Sequence, residues 1–298
     1  MSIRNTTFRV ILAAILNRLF LVPKIGFYFA TGYFLAIGAL CRNPLNSKFF
    51  GLAYLPKETA FHVKIVQERG SYLYSTSVGD ALNLDCRTSF NEWEVDSRKT
   101  WRNLAGTARL VLDIGAYTGI YALEACSVNS EAKVMAFEPN PYMRTRLNVN
   151  LKLNNLNIDS IEYGLGSEIS ELNLHLPFGE TTSIATMIPV AQSEKIQVAV
   201  KTLDSMALQD LDLMKIDCEG FELEILKGGR EAINRHRPTI LMEALSHGEY
   251  EAQSEFLGNL GFIDLFPKGI GQRFGDDRNH LWVHNSNLEK IRGLLLLK

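Results

Sequence analysis

The sequence predicts an α/β fold, a mostly parallel sheet covered by helices on both faces, entered through a hydrophobic and basic N-terminal segment. Three observations predict it. From Arg109 onward, short apolar runs alternate with helical stretches, the pattern of βαβ units whose strands are buried on both sides. Residues 111–119 (VLDIGAYTG) read as a strand, a glycine-bearing turn and a helix start. Acidic residues recur at the ends of successive strands, at Asp113, Glu138, Asp217 and Glu243, where open α/β sheets bind ligands.

The elements follow in chain order. Residues 8–22 are apolar but broken by Asn17 and Arg18, and Pro23-Lys24 precedes a second uncharged run at 25–41. That run sits at the short limit for a membrane span. Arg4, Arg9, Arg18, Lys24, Arg42, Lys48, Lys57 and Lys64 face only Glu58 in the first 64 residues, so the rest of this chain of net charge −2 is acidic. An acidic remainder argues against nucleic acid as a partner. The basic, apolar start suits peripheral contact with an anionic membrane face through residues 1–45, or a helix packed on the protein itself. A secretory signal fits poorly, because no small-residue cleavage site follows the apolar run. Residues 46–105 form a lead-in, with strand-like alternation over 62–86 and a helix over 90–104. The main domain spans 106–288 and a tail 289–298. Within it, strands are expected at 109–114, 133–138, 160–164, 212–217, 239–243, 261–265 and 280–284, with helices at 119–127, 141–154, 220–228 and 249–259. Two extra strands, 171–176 and 196–201, are inserted between the third and fourth. Cys41, Cys86, Cys126 and Cys218 show no metal-ligand spacing, so no metal site is assigned from them and reduced thiols are expected.

The chemistry concentrates at three strand ends. The turn Gly115-Ala116-Tyr117-Thr118-Gly119 lets backbone approach a ligand and opens a helix whose N-terminal amides can meet it. Its GxxxG spacing is not the GxGxxG of a dinucleotide site, which ranks an NAD-dependent enzyme low. Asp113 can pair with the ammonium of a methionine moiety. In Ala136-Phe137-Glu138-Pro139-Asn140-Pro141, Glu138 can accept both hydroxyls of a ribose, Asn140 suits an N-cap and Pro141 the first helical position. In Leu213-Met214-Lys215-Ile216-Asp217-Cys218-Glu219-Gly220-Phe221-Glu222, Asp217 and Glu219 lie under the expected crevice, while Glu222 reads as a helix-start acid complementing the dipole.

Taken together, VLDIGAYTG, AFEPNP and LMKIDCEGFELEILKGG, with VKTLD before the last and RPTILME after it, resemble the FkbM family of methyltransferases over roughly 90–285. Tyr117 and Cys218 depart mildly from the family pattern. The resemblance implies a Rossmann-like, seven-stranded class I methyltransferase fold, S-adenosylmethionine as cofactor and O-methylation of a hydroxyl on a sugar, glycolipid or polysaccharide precursor. Acceptors in the family also include macrolides and other natural products.

The cofactor-binding candidates are Asp113, Gly115, Ala116, Tyr117, Gly119, Glu138, Pro139, Asn140 and Asp217. Methyl transfer to a hydroxyl needs alignment and a group to receive the proton. Asp217 is the first candidate, then Glu219 and Glu243, with His247 behind them. Clustered carboxylates can instead hold Mg2+, and the sequence does not decide between the two. The Asn/Asp-Pro-Pro-Tyr pattern of base amino-group methylation is absent from the fourth strand. The contrasting reading is a non-catalytic, membrane-associated Rossmann-like binding protein. Acceptor choice is expected in residues 177–195 and 266–279. The cofactor is cytoplasmic, which places the catalytic domain on that side of a membrane.

Overall fold

The computed structural model describes residues 60–66, 71–77, 94–177, 185–270 and 278–296. Strands β1 (Ala60–Val66) and β2 (Ser71–Ser77) pair antiparallel, and helix α1 (Val95–Ala105) follows. Then come β3 (Leu110–Ile114), α2 (Ile120–Val128), β4 (Lys133–Phe137), α3 (Pro141–Leu153), β5 (Asp159–Ile161), β6 (Gly164–Leu165), β7 (Ser170–Leu176) and β8 (Glu194–Lys201). The chain ends with β9 (Leu213–Ile216), α4 (Glu222–Gly228), α5 (Arg230–His236), β10 (Thr239–Glu243), α6 (His247–Gly258), β11 (Phe262–Asp264), β12 (Asn279–His284) and α7 (Leu288–Leu295).

Seven strands form one sheet in the order β11-β12-β10-β9-β3-β4-β5. β12 runs antiparallel to both its neighbours, and the other pairings are parallel. The chain enters at the centre on β3, winds outward to β5, then returns to β9 on the other side of β3. The strand order therefore reverses between β3 and β9, which opens a crevice above their carboxyl ends. This is the seven-stranded Rossmann-like sheet expected of a class I methyltransferase.

Both faces of the sheet are covered. On one, Val111, Leu213 and Leu241 pack with α2 and with Tyr72, Tyr74 and Trp101 of the lead-in. On the other, Leu112, Ile114, Met214 and Ile216 pack under α4 and α5, through Ile225, Leu226 and Ile233. The hairpin is docked by asparagines of α3. Leu73 N–H donates to Asn154 Oδ1 and Asn154 Nδ2 donates to Leu73 O, each at 2.7 Å, while Ser75 N–H donates to Asn150 Oδ1 at 2.6 Å. α1 is anchored by charge. Glu124 of α2 is fully buried and receives Arg98 Nη2 at 2.6 Å and Arg102 Nη1 at 3.1 Å, with the Tyr72 hydroxyl at 3.2 Å.

Several expectations are corrected. The run 160–164 does not form one strand. It splits into β5 in the main sheet and β6, which pairs with β8 in a separate three-stranded sheet of order β6-β8-β7. At the start of β6, Gly164 packs against the tip of Met187 from the insert. α5 lacks a counterpart in the sequence reading, and residues 289–298 are not merely a tail, because they carry most of α7, whose buried Ile291 joins the core next to α1. The expectations for residues 1–45 lie outside the described residues. Among the described residues no helix is long and apolar enough to cross a membrane.

Candidate active site

Strand periodicity places four ionisable side chains on one face of the sheet. Asp113 of β3 and Leu241 of β10 both stand opposite Lys215 of β9. Residues two apart share a face, so Asp217 and Glu243 follow one step further toward the carboxyl ends. All four charged residues line a cleft of about 330 Å3 at the point where the strand order reverses. Its other walls include Phe137, Glu138, Pro139 and Met143 beyond β4, Glu94 and Tyr121 on the lead-in side, and Ala185 and Met187 from the insert.

The glycine turn after β3 is held from both sides. Gly115 adopts φ +81°, and a Cβ there would stand 1.8 Å from the Asp217 carbonyl oxygen, so only glycine lets the two strand ends approach this closely. Tyr117 is also left-handed at φ 50°. Its amide donates to Glu138 Oε2 at 2.8 Å, and Glu138 Oε1 takes the Asn140 amide at 2.8 Å. The Gly115 and Ala116 amides both donate to Phe137 O. These three turn amides are thus engaged by β4 and its end, which fixes the turn that shapes the cleft. Asp113 Oδ2 likewise accepts the Ala122 amide at 2.9 Å, inside α2.

Seven of the nine proposed cofactor residues line the cleft: Asp113, Gly115, Ala116, Tyr117, Glu138, Pro139 and Asp217. Gly119 and Asn140 do not. Gly119 is the N-cap of α2, and Asn140 caps α3 by accepting the Tyr142 amide at 3.0 Å, with Pro141 following as expected. Glu219 and Glu243 line the cleft beside Asp217. Glu222 takes the Cys218 and Gly220 amides at 2.7 and 3.3 Å, which makes it a buried brace for the β9–α4 turn. His247 is exposed and pairs with Glu251 at 3.2 Å, away from the cleft. Of the segments expected to choose the acceptor, 178–184 and 271–277 lie outside the described residues. Ala185 and Met187 do reach the cleft, and Thr186 donates its hydroxyl to Glu219 O at 2.9 Å.

Sequence reasoning missed Lys215. Its side chain is only 1% exposed and its ammonium lies 2.9 Å from Asp217 Oδ2 and 5.1 Å from the Tyr121 ring centroid. The Tyr121 hydroxyl donates to Glu94. The signal was available: a lysine inside an apolar central strand is almost never buried without a partner. Burial is opposed chiefly by the neighbouring Asp217 and then Glu94, whose charges hold the Lys215 ammonium above its ordinary range. Among the described residues no three His, Cys, Asp or Glu side chains converge as ligands for a metal, and the cation set among these carboxylates is Lys215. The Mg2+ alternative gains no support.

Burial raises the carboxyls around the cleft. Asp113 and Glu138 reach about 7, chiefly by desolvation. Glu219 and Glu222 also reach about 7, by burial and, at Glu219, the charge of Asp217. Glu243 reaches about 9, by burial and then Asp217. The folded protein thus holds protons that the unfolded chain, with ordinary carboxyls, has lost. Stability from these groups is full below the ordinary carboxylate range and is lost as pH rises through the folded values. Denaturant titrations should show stability falling between about pH 5 and about pH 8, with a shallower fall in Glu222→Gln. An equal slope in the variant would exclude Glu222 from this group.

A family model described as the Methyltransferase FkbM domain matches residues 113–274. The chain is 30% identical to the hexuronic acid methyltransferase AglP of Haloferax volcanii, over 41% of this chain and 50% of that protein. It is 27% identical to the methyltransferase sdnD of Sordaria araneosa, over 40% of this chain and 59% of that one. It spans about half to three fifths of the length of these relatives. Among solved structures it is similar to an FkbM methyltransferase from Methylobacillus flagellatus KT, with a TM-score of 0.44 and 20% identity over 59% of this chain and 44% of the other. The matched span covers more than half of the 298 residues and contains Asp113, Glu138, Asp217 and Glu243, so the chain belongs to the FkbM methyltransferase family.

Proposed function

We propose that the protein transfers a methyl group from S-adenosylmethionine to a hydroxyl oxygen of a sugar, glycolipid or polysaccharide precursor. One observation carries the reading: Asp113, Glu138 and Asp217, from three different strand ends, line a single cleft where the strand order reverses. The residues suit this cofactor. Asp113 and Glu138 are buried acids able to meet an ammonium and a ribose diol, and Phe137, Pro139, Leu165 and Met187 supply an apolar wall for a flat base. A Glu138 oxygen that accepts one amide keeps a lone pair for a hydroxyl.

When bound, S-adenosylmethionine supplies an activated methyl on a sulfonium. The chain's own residues then have three tasks. Asp113 and Glu138 orient the two ends of the cofactor. The apolar wall keeps water from the transfer line. Asp217 receives the hydroxyl proton, with Glu219 and Glu243 close by. Alignment supplies most of the acceleration. A sugar hydroxyl as acceptor is supported by the hexuronic acid named in the Haloferax relative. With this goes the reading that residues 1–45 hold the protein at the cytoplasmic membrane face, supported by the basic residues set among their apolar ones.

Calorimetric titration with S-adenosylmethionine, with NAD as control, tests the reading. Glu138→Ala should weaken binding by ~2–4 kcal/mol through lost charge-assisted hydrogen bonds, roughly 30- to 700-fold in affinity. Unchanged affinity in a folded variant would remove Glu138 from the cofactor site.

A further inference from the structure

We propose that Asp217 and Glu243 share one proton and accept the acceptor's hydroxyl proton as a single unit, and that Lys215 is the positioning residue that fixes the unit's negative charge on Asp217. The proposal rests on the reading that this cleft is the methyl-transfer site, and it deepens that reading.

The geometry leaves little choice. Asp217 and Glu243 each follow the last paired residues, Ile216 and Met242, of the adjacent parallel strands β9 and β10, and both side chains line the cleft. Two like charges so close in a buried cleft do not both ionise. The pair is asymmetric, because Lys215 Nζ stands 2.9 Å from Asp217 Oδ2 and is itself almost wholly buried. Its charge favours the ionised form of its partner over that of the more distant carboxyl. The titratable groups that face the pair agree with this. Asp113 stands beside Lys215 from β3, Glu219 faces the pair from the β9–α4 turn, with Arg278 facing Glu219, and Glu94 acts on Lys215 from the start of α1. From β12, Asn279 stands opposite Glu243, and the next residue, His280, is held by Asp264 at 2.8 Å. The surroundings of the pair are thus predominantly acidic, and one retained proton reduces their repulsion. Glu243 is pushed up to about 9, by burial and by Asp217, in line with its being the carboxyl that keeps the proton.

During transfer the acceptor oxygen forms its bond to the methyl carbon as the carbon–sulfur bond breaks, with that electron pair staying on sulfur. The hydroxyl proton passes to Asp217. The unit then holds two neutral carboxyls beside the Lys215 ammonium, and returns to its starting state by releasing one proton to water. Glu243 is in this account the proton-bearing partner of the base.

Infrared titration of the unliganded protein tests this without an acceptor. At about pH 8, carboxyls raised only to about 7 are mostly ionised, while Glu243 is still protonated. The wild-type minus Glu243→Gln spectrum should therefore show one neutral-carboxyl band that persists at this pH and disappears as pH rises through about 9. Lys215→Met should displace that titration, because the charge that divides the pair is gone, and Lys215→Arg should restore it. A purely structural lysine would leave the band unchanged. Absence of a Glu243-dependent band in a folded variant overturns the proposal even where S-adenosylmethionine binds. Failure to bind S-adenosylmethionine with the band present instead overturns the functional reading on which the proposal rests.

Discussion

Asp217→Asn should all but abolish methyl transfer while changing S-adenosylmethionine affinity by less than about tenfold. Asparagine keeps the volume and the position beside the Gly115 turn, but it carries no charge and cannot take a proton. Positioned acid–base groups contribute about 10²–10⁴ in rate, and a loss in that range is expected in kcat. Affinity is less exposed, because the principal cofactor contacts are assigned to Asp113 and Glu138 rather than to Asp217. The substitution also leaves Lys215 without its ion-pair partner at 2.9 Å, so Glu94 and Glu243 become the carboxyls that act on it. Any residual activity should then depend on Glu243 and vanish in the double variant. The measurement is transfer of a labelled methyl to sugar nucleotides and lipid-linked glycans, with calorimetry on the same preparations. Normal turnover by Asp217→Asn would pass the role to Glu219 or Glu243.

The largest stability effect is expected far from the chemistry, at Glu124→Ala. The Glu124 side chain is 0% exposed and Arg98 only 3%. Removing the carboxylate takes the Glu124 acceptor from the Arg98 guanidinium, from Arg102 and from the Tyr72 hydroxyl. Breaking a buried pair by deleting one partner costs about 3–5 kcal/mol. Arg102→Ala should cost less, since Arg98 still satisfies Glu124. Replacing Arg98 and Glu124 together by Met and Leu should recover much of the loss, because the deeply buried Arg98 charge goes with its partner and only the less buried Arg102 loses Glu124. Chemical denaturation of the three variants checks the order. A Glu124→Ala loss below about 1 kcal/mol would show that water reaches the stranded arginine.

How much of this was legible in the sequence depended on how local each cause is. Gly115, Glu138 and the Asn140-Pro141 helix start are local signals, since a left-handed turn, a strand-end acid and an N-cap each need only their neighbours. The central strands announced themselves by apolar runs. The unread features are nonlocal. Lys215 stood inside a motif that was read, but its importance comes from Asp113 and Leu241 flanking it in register, and register across parallel strands is set by the whole sheet. The Arg98–Glu124 contact joins residues 26 apart, with no periodicity to reveal it. The break between β5 and β6 goes with the pairing of Gly164 and Leu165 to Val200 and Lys201 of β8, a segment over thirty residues later. The N-cap role of Asn140 is readable from its place before Pro141, whereas which helix-start residues line the cleft depends on elements distant in sequence.

The asparagine contacts to β2 give the hairpin an end. A two-stranded ribbon normally leaves a row of unpaired amides and carbonyls along each side, and such a row is a template for another chain. On the α3 side of β2, the Asn154 carboxamide occupies both backbone groups of Leu73 and Asn150 takes the amide of Ser75. A side-chain amide thus stands where a third strand would begin. Extension of the ribbon by an intruding strand would first have to displace two asparagines anchored in a helix, so the same contacts that dock the hairpin also guard that edge against aggregation.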